Sequence, residues 1–318
     1  RLIRRQRQDV YKRQDINRLI DLCEALILSG DVFIHIDKKN KDHVFWQKLL
    51  DYQKSKKQIT ILGKQERHYV AWAGFSQVEC FKSLLRKVLD NPKQYDRFIL
   101  LSGLDYPVWS PIQIQNYFEN NIEKEFICGY DISTCKYDYQ LRKIIYYHFF
   151  RDIPLPHKSM IRRIIIGGTM TILKCIGIKR KPFLKINNQD WHIYFGSSWI
   201  SCTRACGEYI FQQLNNKEIT RYFKTVYAPD ELCVPTIVMN SPFKKNAIKV
   251  NDLTFQNITP LHYLNYEDCI WSYDENDFNT IIRANKMFVR KVISGKSEKL
   301  IQMIQRTWNL QTNIHNHS

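Results

Sequence analysis

The sequence predicts an α/β fold with a mostly parallel central sheet flanked by helices. Segments whose apolar residues recur at three and four alternate with short runs rich in β-branched and aromatic residues, the order expected of strand–helix–strand units. The runs end in charged or turn-prone tips, Asp37-Lys38-Lys39 and Ser102-Gly103-Leu104-Asp105. In such sheets, ligands collect beyond the carboxyl ends of the strands. With no internal repeat and no Pro/Gly/Ser-rich linker, residues 15–318 read as a single domain.

Taken in order, Ile16 to Leu28 reads as a helix, with Ile16, Leu19, Ile20, Cys23, Leu26 and Ile27 on one face and Gly30 as its stop. Asp31 to Asp37 is a strand, and Gln58 to Leu62 a second, shorter one. Gly74 to Leu89 is a long helix that gathers Val78, Phe81, Leu84, Leu85, Val88 and Leu89 on one side. Phe98 to Leu101 is the next strand, and Ser102 to Pro107 follows it as a turn. Pro111 to Asn120 is a short helix, and Phe126 to Cys128 a strand. Cys202 and Cys206 fall on a helix start, and Asp230 is placed to cap the helix that follows it.

Ile161 to Lys181 is both apolar and basic, which suits either a helical excursion packed on its own domain or a segment lying on an anionic membrane surface. The apolar stretch Ile164 to Ile178 contains Lys174 and is too short for a membrane span.

A formal net charge of +17 over 318 residues asks for an anionic partner. Arg1 to Gln14 holds six Lys or Arg against one Asp with almost no apolar pattern. It reads as a non-native or solvated basic tail, and without it about +12 remains. The charge is spread along the chain without a helix-turn-helix, RNP, KH or zinc signature, so a nucleic-acid-binding role is the weaker alternative. Nine scattered cysteines with no CxxC pair point to a reduced, cytoplasmic protein rather than a disulfide framework.

Two segments carry candidate chemistry. Tyr227-Ala228-Pro229-Asp230-Glu231 places adjacent carboxylates before the apolar run Leu232 to Met239. Read alone, they are charges favoured at a helix N-terminus. Phe288-Val289-Arg290-Lys291-Val292 places two cations after a helix beginning near Asp277, and on so basic a chain such a pair is ordinarily solvated. No Asp-x-Asp pair occurs anywhere.

On these motifs, with Ser102-Gly103-Leu104-Asp105-Tyr106-Pro107 and Gly196-Ser197-Ser198-Trp199, the chain resembles the core-2/I-branching β-1,6-N-acetylglucosaminyltransferases (glycosyltransferase family 14) from about Ile16 to Ile301. The resemblance implies a GT-A-like nucleotide-sugar transferase fold and metal-independent, inverting transfer from a UDP-sugar to a glycan hydroxyl. It implies Glu231 as the catalytic base and Lys291, assisted by Arg290, on the diphosphate. Asp37 and Tyr69 match positions near the uridine, and Asp105 stands where metal-dependent relatives carry Asp-x-Asp. Leu261-His262-Tyr263 departs from the family, which has Arg where His262 stands, so diphosphate binding is expected to be weaker there.

Trp199, Asp230, Glu125 and Arg142 are acceptor-side candidates, the last two by position only, each with an exposed salt-bridging role as the plainer reading. The family's hydrophobic first strand has no counterpart before Ile16, which leaves a version of the fold without activity as a further reading. The expected donor is UDP-N-acetylglucosamine, with UDP-xylose as the alternative, and the expected acceptor is a glycan or lipid-linked glycan. No cofactor is expected. The place expected for this work is surface-polysaccharide synthesis in the cytoplasm, peripherally on the inner face of the membrane.

Overall fold

The computed structural model describes residues 15–134, 138–156, 159–250, 254–265 and 271–315; the basic tail read at Arg1 to Gln14 lies outside them. The first helix, Ile16–Leu26, starts at Asp15, whose carboxylate accepts from Asn17 and Arg18 N–H. It packs Cys23 against β1 (Val32–Ile34), the helix His43–Ser55 and β2 (Ile59–Ile61). The helix Ser76–Leu89 turns Val78, Phe81 and Leu85 into the largest core cluster. β3 (Arg97–Ile99) follows, then β4 (Asp105–Pro107) and the helix Pro111–Glu119, which Ser110 and Gln113 close in a reciprocal capping box.

Beyond β5 (Glu125–Asp131) come the helices Asp138–Ile145 and Met160–Cys175, then the hairpin of β6 (Phe183–Ile186) and β7 (Gln189–His192). β8 (Tyr194–Phe195), β9 (Ser201–Thr203) and the helix Arg204–Gln213 lead to Pro229–Glu231, a single 3₁₀ turn, and the buried helix Cys233–Met239. β10 (Ala247–Lys249), β11 (His262–Tyr263), β12 (Phe288–Arg290) and the helix Glu298–His315 complete the order.

The sheets are mixed, which corrects the mostly parallel sheet expected from the alternation. β1 pairs with β2, β10 with β5, and β11 with β12 in parallel, but β9 runs antiparallel to both β3 and β5, and β8 antiparallel to β5. The alternation rule fails because the connection from β5 to β8 ends in the β6–β7 hairpin, and β8 leads to β9 with no helix between them. The Ser102 to Pro107 segment is likewise more than a turn. Its second half is β4, buried throughout and antiparallel to β12, with Asp105 opposite Arg290. The helix His43–Ser55 was not read from the sequence: only Phe45, Leu49 and Tyr52 are buried on it, a sparse stripe among polar residues.

A cleft of about 3600 Å³ runs along the carboxyl ends of β1 and β3 and continues between the flanks of those strands. Among the described residues β1 pairs only with β2, and β3 only with β9. The cysteines among the described residues, Cys202 and Cys206 included, are free thiols.

Candidate active site

Glu231 reaches the cleft on the Pro229–Glu231 turn, which is set by Ala228 in the left-handed region at φ 51°. Ala228 N–H donates to Ala73 carbonyl at 3.4 Å, and Gly196 N–H donates to the Glu231 carbonyl at 2.9 Å. A Cβ on Gly196 would lie 2.2 Å from the Cys128 carbonyl oxygen, so the close approach of these two strands requires glycine there.

The Glu231 carboxylate is paired at 3.0 Å with the Lys143 ammonium, whose side chain is only 8% exposed and lies 4.3 Å from the Phe195 ring centroid. Lys143 is held from behind as well, because its carbonyl accepts from Tyr227 N–H at 3.0 Å. Sequence reasoning missed Lys143 and named its neighbour Arg142. Arg142 is exposed and is not among the residues lining the cleft. Helical phase carried the signal: on Asp138–Ile145, Arg142 lies about 200° around the axis from buried Ile144.

Asp230 does not cap the next helix, whose N-cap, Leu232, makes no side-chain bond. It accepts instead from Ser198 Oγ at 2.8 Å and from Gln77 Nε2 at 3.2 Å, while its other oxygen is buried without a partner. Burial, then the neighbouring Glu231 charge, pushes its pKa up to about 6. Gln77 is a second residue missed by the sequence reading. It also accepts from Ala73 N–H at 2.8 Å, and so ties the entrance of the Ser76–Leu89 helix to the carboxylate turn.

Asp105 is fully enclosed, with no exposed side-chain surface. Its oxygens accept from Ser102 N–H at 2.6 Å and Arg290 Nη1 at 2.8 Å, and His262 Nε2 lies 3.4 Å away. Arg290 also donates to Ser102 Oγ. Burial pushes the Asp105 pKa up, but the Arg290 charge and His262 outweigh it and hold the carboxyl below the usual range. The guanidinium stacks 4.6 Å from the Trp199 ring centroid, and His262 packs between Trp199 and Phe288.

Asp105 and His262 therefore sit behind the cleft wall, whereas Ser102, Trp199, Phe288 and Arg290 of this group line the cleft. The expectation that His262 meets a diphosphate is corrected, because on β11 the side chain is 1% exposed and enclosed by Asp105, Trp199 and Phe288. Glu125 is corrected too. It is buried and accepts from Thr203 N–H at 2.8 Å and Thr203 Oγ1 at 2.6 Å, so it joins β5 to β9 away from the cleft.

Asp37 and Tyr69 line the cleft at the end of β1. Asp37 accepts from Lys39 N–H at 2.9 Å and Val70 N–H at 3.4 Å, and Tyr69, with Lys38 Nζ 5.8 Å from its ring centroid, is 44% exposed. Lys291 follows β12 into the same cleft, its carbonyl accepting from Tyr273 N–H at 3.0 Å and its N–H donating to Trp271 carbonyl at 3.2 Å. Among the described residues no group of three or more His, Cys, Asp or Glu is gathered to hold a metal ion.

The arrangement is a wide cleft with a carboxylate pair on one wall, cations on β12, and an exposed aromatic ring with a strand-end Asp at the rim. It can accept a proton at Glu231 and oppose negative charge at Lys291. The family model of the Core-2/I-branching enzyme matches residues 22–282 of the chain. No curated protein matches it.

Proposed function

The chain belongs to the Core-2/I-branching enzyme family, whose members are glycosyltransferases, and on that premise we propose that it transfers N-acetylglucosamine from UDP-N-acetylglucosamine to a glycan hydroxyl, with inversion and without a metal ion. The observation that carries the reading is Glu231 facing the same cleft as Asp37, Tyr69, Arg290 and Lys291, anchored by Lys143 at 3.0 Å.

In this reading the acceptor hydroxyl gives its proton to Glu231 as its oxygen attacks the anomeric carbon. The bond to the UDP oxygen breaks on the opposite face, and its electron pair leaves with the diphosphate. Charge develops on that leaving oxygen, and Lys291 opposes it. Arg290 adds less than the motif implies, because its guanidinium is already paired with Asp105 at 2.8 Å. Its part is to stiffen β12 and the Trp199 ring beside the acceptor. Asp37 and Tyr69 suit a ribose hydroxyl and the face of a uracil ring. Lys143 fixes which carboxylate oxygen remains open to the acceptor, and Asp230 holds the turn through Ser198 and Gln77. Surface-polysaccharide synthesis is the setting we infer for it.

Calorimetric titration with UDP-N-acetylglucosamine, UDP-xylose and UDP in the presence of EDTA tests the donor side. Binding persists in EDTA and weakens about tenfold or more in Lys291→Ala, and the tighter sugar nucleotide identifies the donor. Glu231→Gln lowers turnover about 10²- to 10⁴-fold and leaves UDP affinity within about threefold. A folded protein that binds none of the three, or turnover that EDTA abolishes and a divalent ion restores, refutes the proposal.

A further inference from the structure

The helix Met160–Cys175 is anchored by one face only. Arg162 turns inward and donates to the Ile153 carbonyl at 2.7 Å and the Arg151 carbonyl at 2.6 Å. With that face fixed, the 3.6-residue period sends Ile161, Ile164, Gly168, Ile172 and Cys175 outward. A helix packed on its own domain carries polar residues on this side. Here Ile161, Ile164 and Ile172 are 62%, 60% and 62% exposed, and Met160 and Ile176 extend the stripe at its two ends. Isolated exposed apolar residues are ordinary, but an apolar row along the solvent face of one helix marks a docking surface.

Charge identifies what covers it. Between Asp152 and Asp190 the sequence holds no Asp or Glu, whereas Arg163, Lys174, Lys179 and Lys181 flank the stripe and are exposed. Lys174 and Lys179 lean on the Tyr146 ring, 4.7 and 5.7 Å from its centroid, which keeps their ammonium groups beside the apolar row. An apolar row edged by cations alone complements an anionic lipid surface, with isoleucines entering the acyl boundary and ammonium groups meeting phosphates. A second copy of the chain suits it poorly, since facing copies would bring two basic rims together on molecules of net charge +17. No described helix is long and apolar enough to cross a membrane, so the contact is one of lying on the surface.

We propose that the Met160–Cys175 helix docks the protein on bilayers containing anionic phospholipid. The docked face adjoins the cleft, because Pro154, Leu155, Pro156 and Arg163 line it together with Glu231 and Lys143. Docking therefore sets the acceptor side of the cleft at the headgroup layer. If the transferase reading above holds, the acceptor hydroxyl is carried on a lipid.

Sedimentation of the full chain with vesicles tests docking apart from turnover, using phosphatidylcholine alone and phosphatidylcholine with phosphatidylglycerol. The protein partitions to the anionic vesicles at least about tenfold more strongly, and the preference collapses as salt rises. Ile161→Gln/Ile164→Gln/Ile172→Gln and, separately, Lys179→Glu/Lys181→Glu each lower partitioning about tenfold or more, with unchanged circular dichroism and urea midpoint. Equal binding to both vesicle types, or variants that bind as the parent does, overturns the proposal. So does a concentration-dependent dimer by light scattering that the isoleucine variant abolishes, since the stripe would then be covered by a second copy. A failed docking test leaves UDP binding and Glu231 turnover as they were, so the two readings fail separately.

Discussion

Replacing Arg290 with Met removes the principal counter-charge of Asp105 while keeping most of the packing against Trp199. The carboxylate has no exposed surface and is left with Ser102 N–H at 2.6 Å and His262 at 3.4 Å. Breaking a buried pair from one side costs about 3–5 kcal/mol, because the stranded charge keeps its desolvation penalty. The pH dependence gives the mechanism a signature.

In the parent the Asp105 pKa is held below its unfolded value of about 3.9, so the pair's contribution is present above that pH and is lost as pH falls through the folded pKa. In Arg290→Met, burial acts without the opposing guanidinium and the folded pKa rises above the unfolded one. The variant then regains stability, relative to the parent, as pH falls from 7 toward about 5. Urea denaturation of both proteins at several pH values, with shared slopes, reads the difference directly. Asp105→Asn/Arg290→Met recovers most of the loss at pH 7. A deficit under about 1 kcal/mol at pH 7, or one that does not change with pH, refutes the claim that Arg290 neutralises a buried charge.

Asp230 acts with the opposite sign. Its folded pKa of about 6 exceeds the unfolded value, so its contribution is present at low pH and is lost as pH rises from about 4 to about 6. Asp230→Asn removes that slope, on the order of 2 kcal/mol between pH 4 and 7, and denaturation midpoints across the range check it. Gly196→Ala drives a methyl into the Cys128 carbonyl at 2.2 Å and Pro235 Cγ at 2.9 Å, neither of which can swing away. It destabilises by about 1–3 kcal/mol and lowers turnover by shifting the Glu231 turn, and a urea midpoint equal to the parent's contradicts this.

The sequence carried the helices whose apolar stripe is dense, such as Ser76–Leu89, and the strands that end in charged tips. It failed on His43–Ser55, where three buried side chains in thirteen residues give a weak period. The direction of β8 and β9 was beyond it, because strand orientation follows from chain reversals that periodicity does not encode. Asp37, Tyr69, Trp199, Asp230, Glu231, Arg290 and Lys291, named from the sequence, all line the cleft. Motif position could not separate cleft-lining side chains from those one layer beneath. Asp105 and His262 fell on the wrong side of that wall, and Glu125 went to a strand junction. Lys143 and Gln77 act through three-dimensional pairing with residues far along the chain, and no local pattern announces that.

The polar ties that assemble the cleft wall span the whole chain. Lys143 meets Glu231 across 88 residues, Gln77 meets Asp230 across 153, and Asp105 meets Arg290 across 185. Closing loops of that length costs chain entropy before any contact rewards it. The wall is complete only when both partners of each tie are in place, so a fragment that ends between them carries no complete cleft.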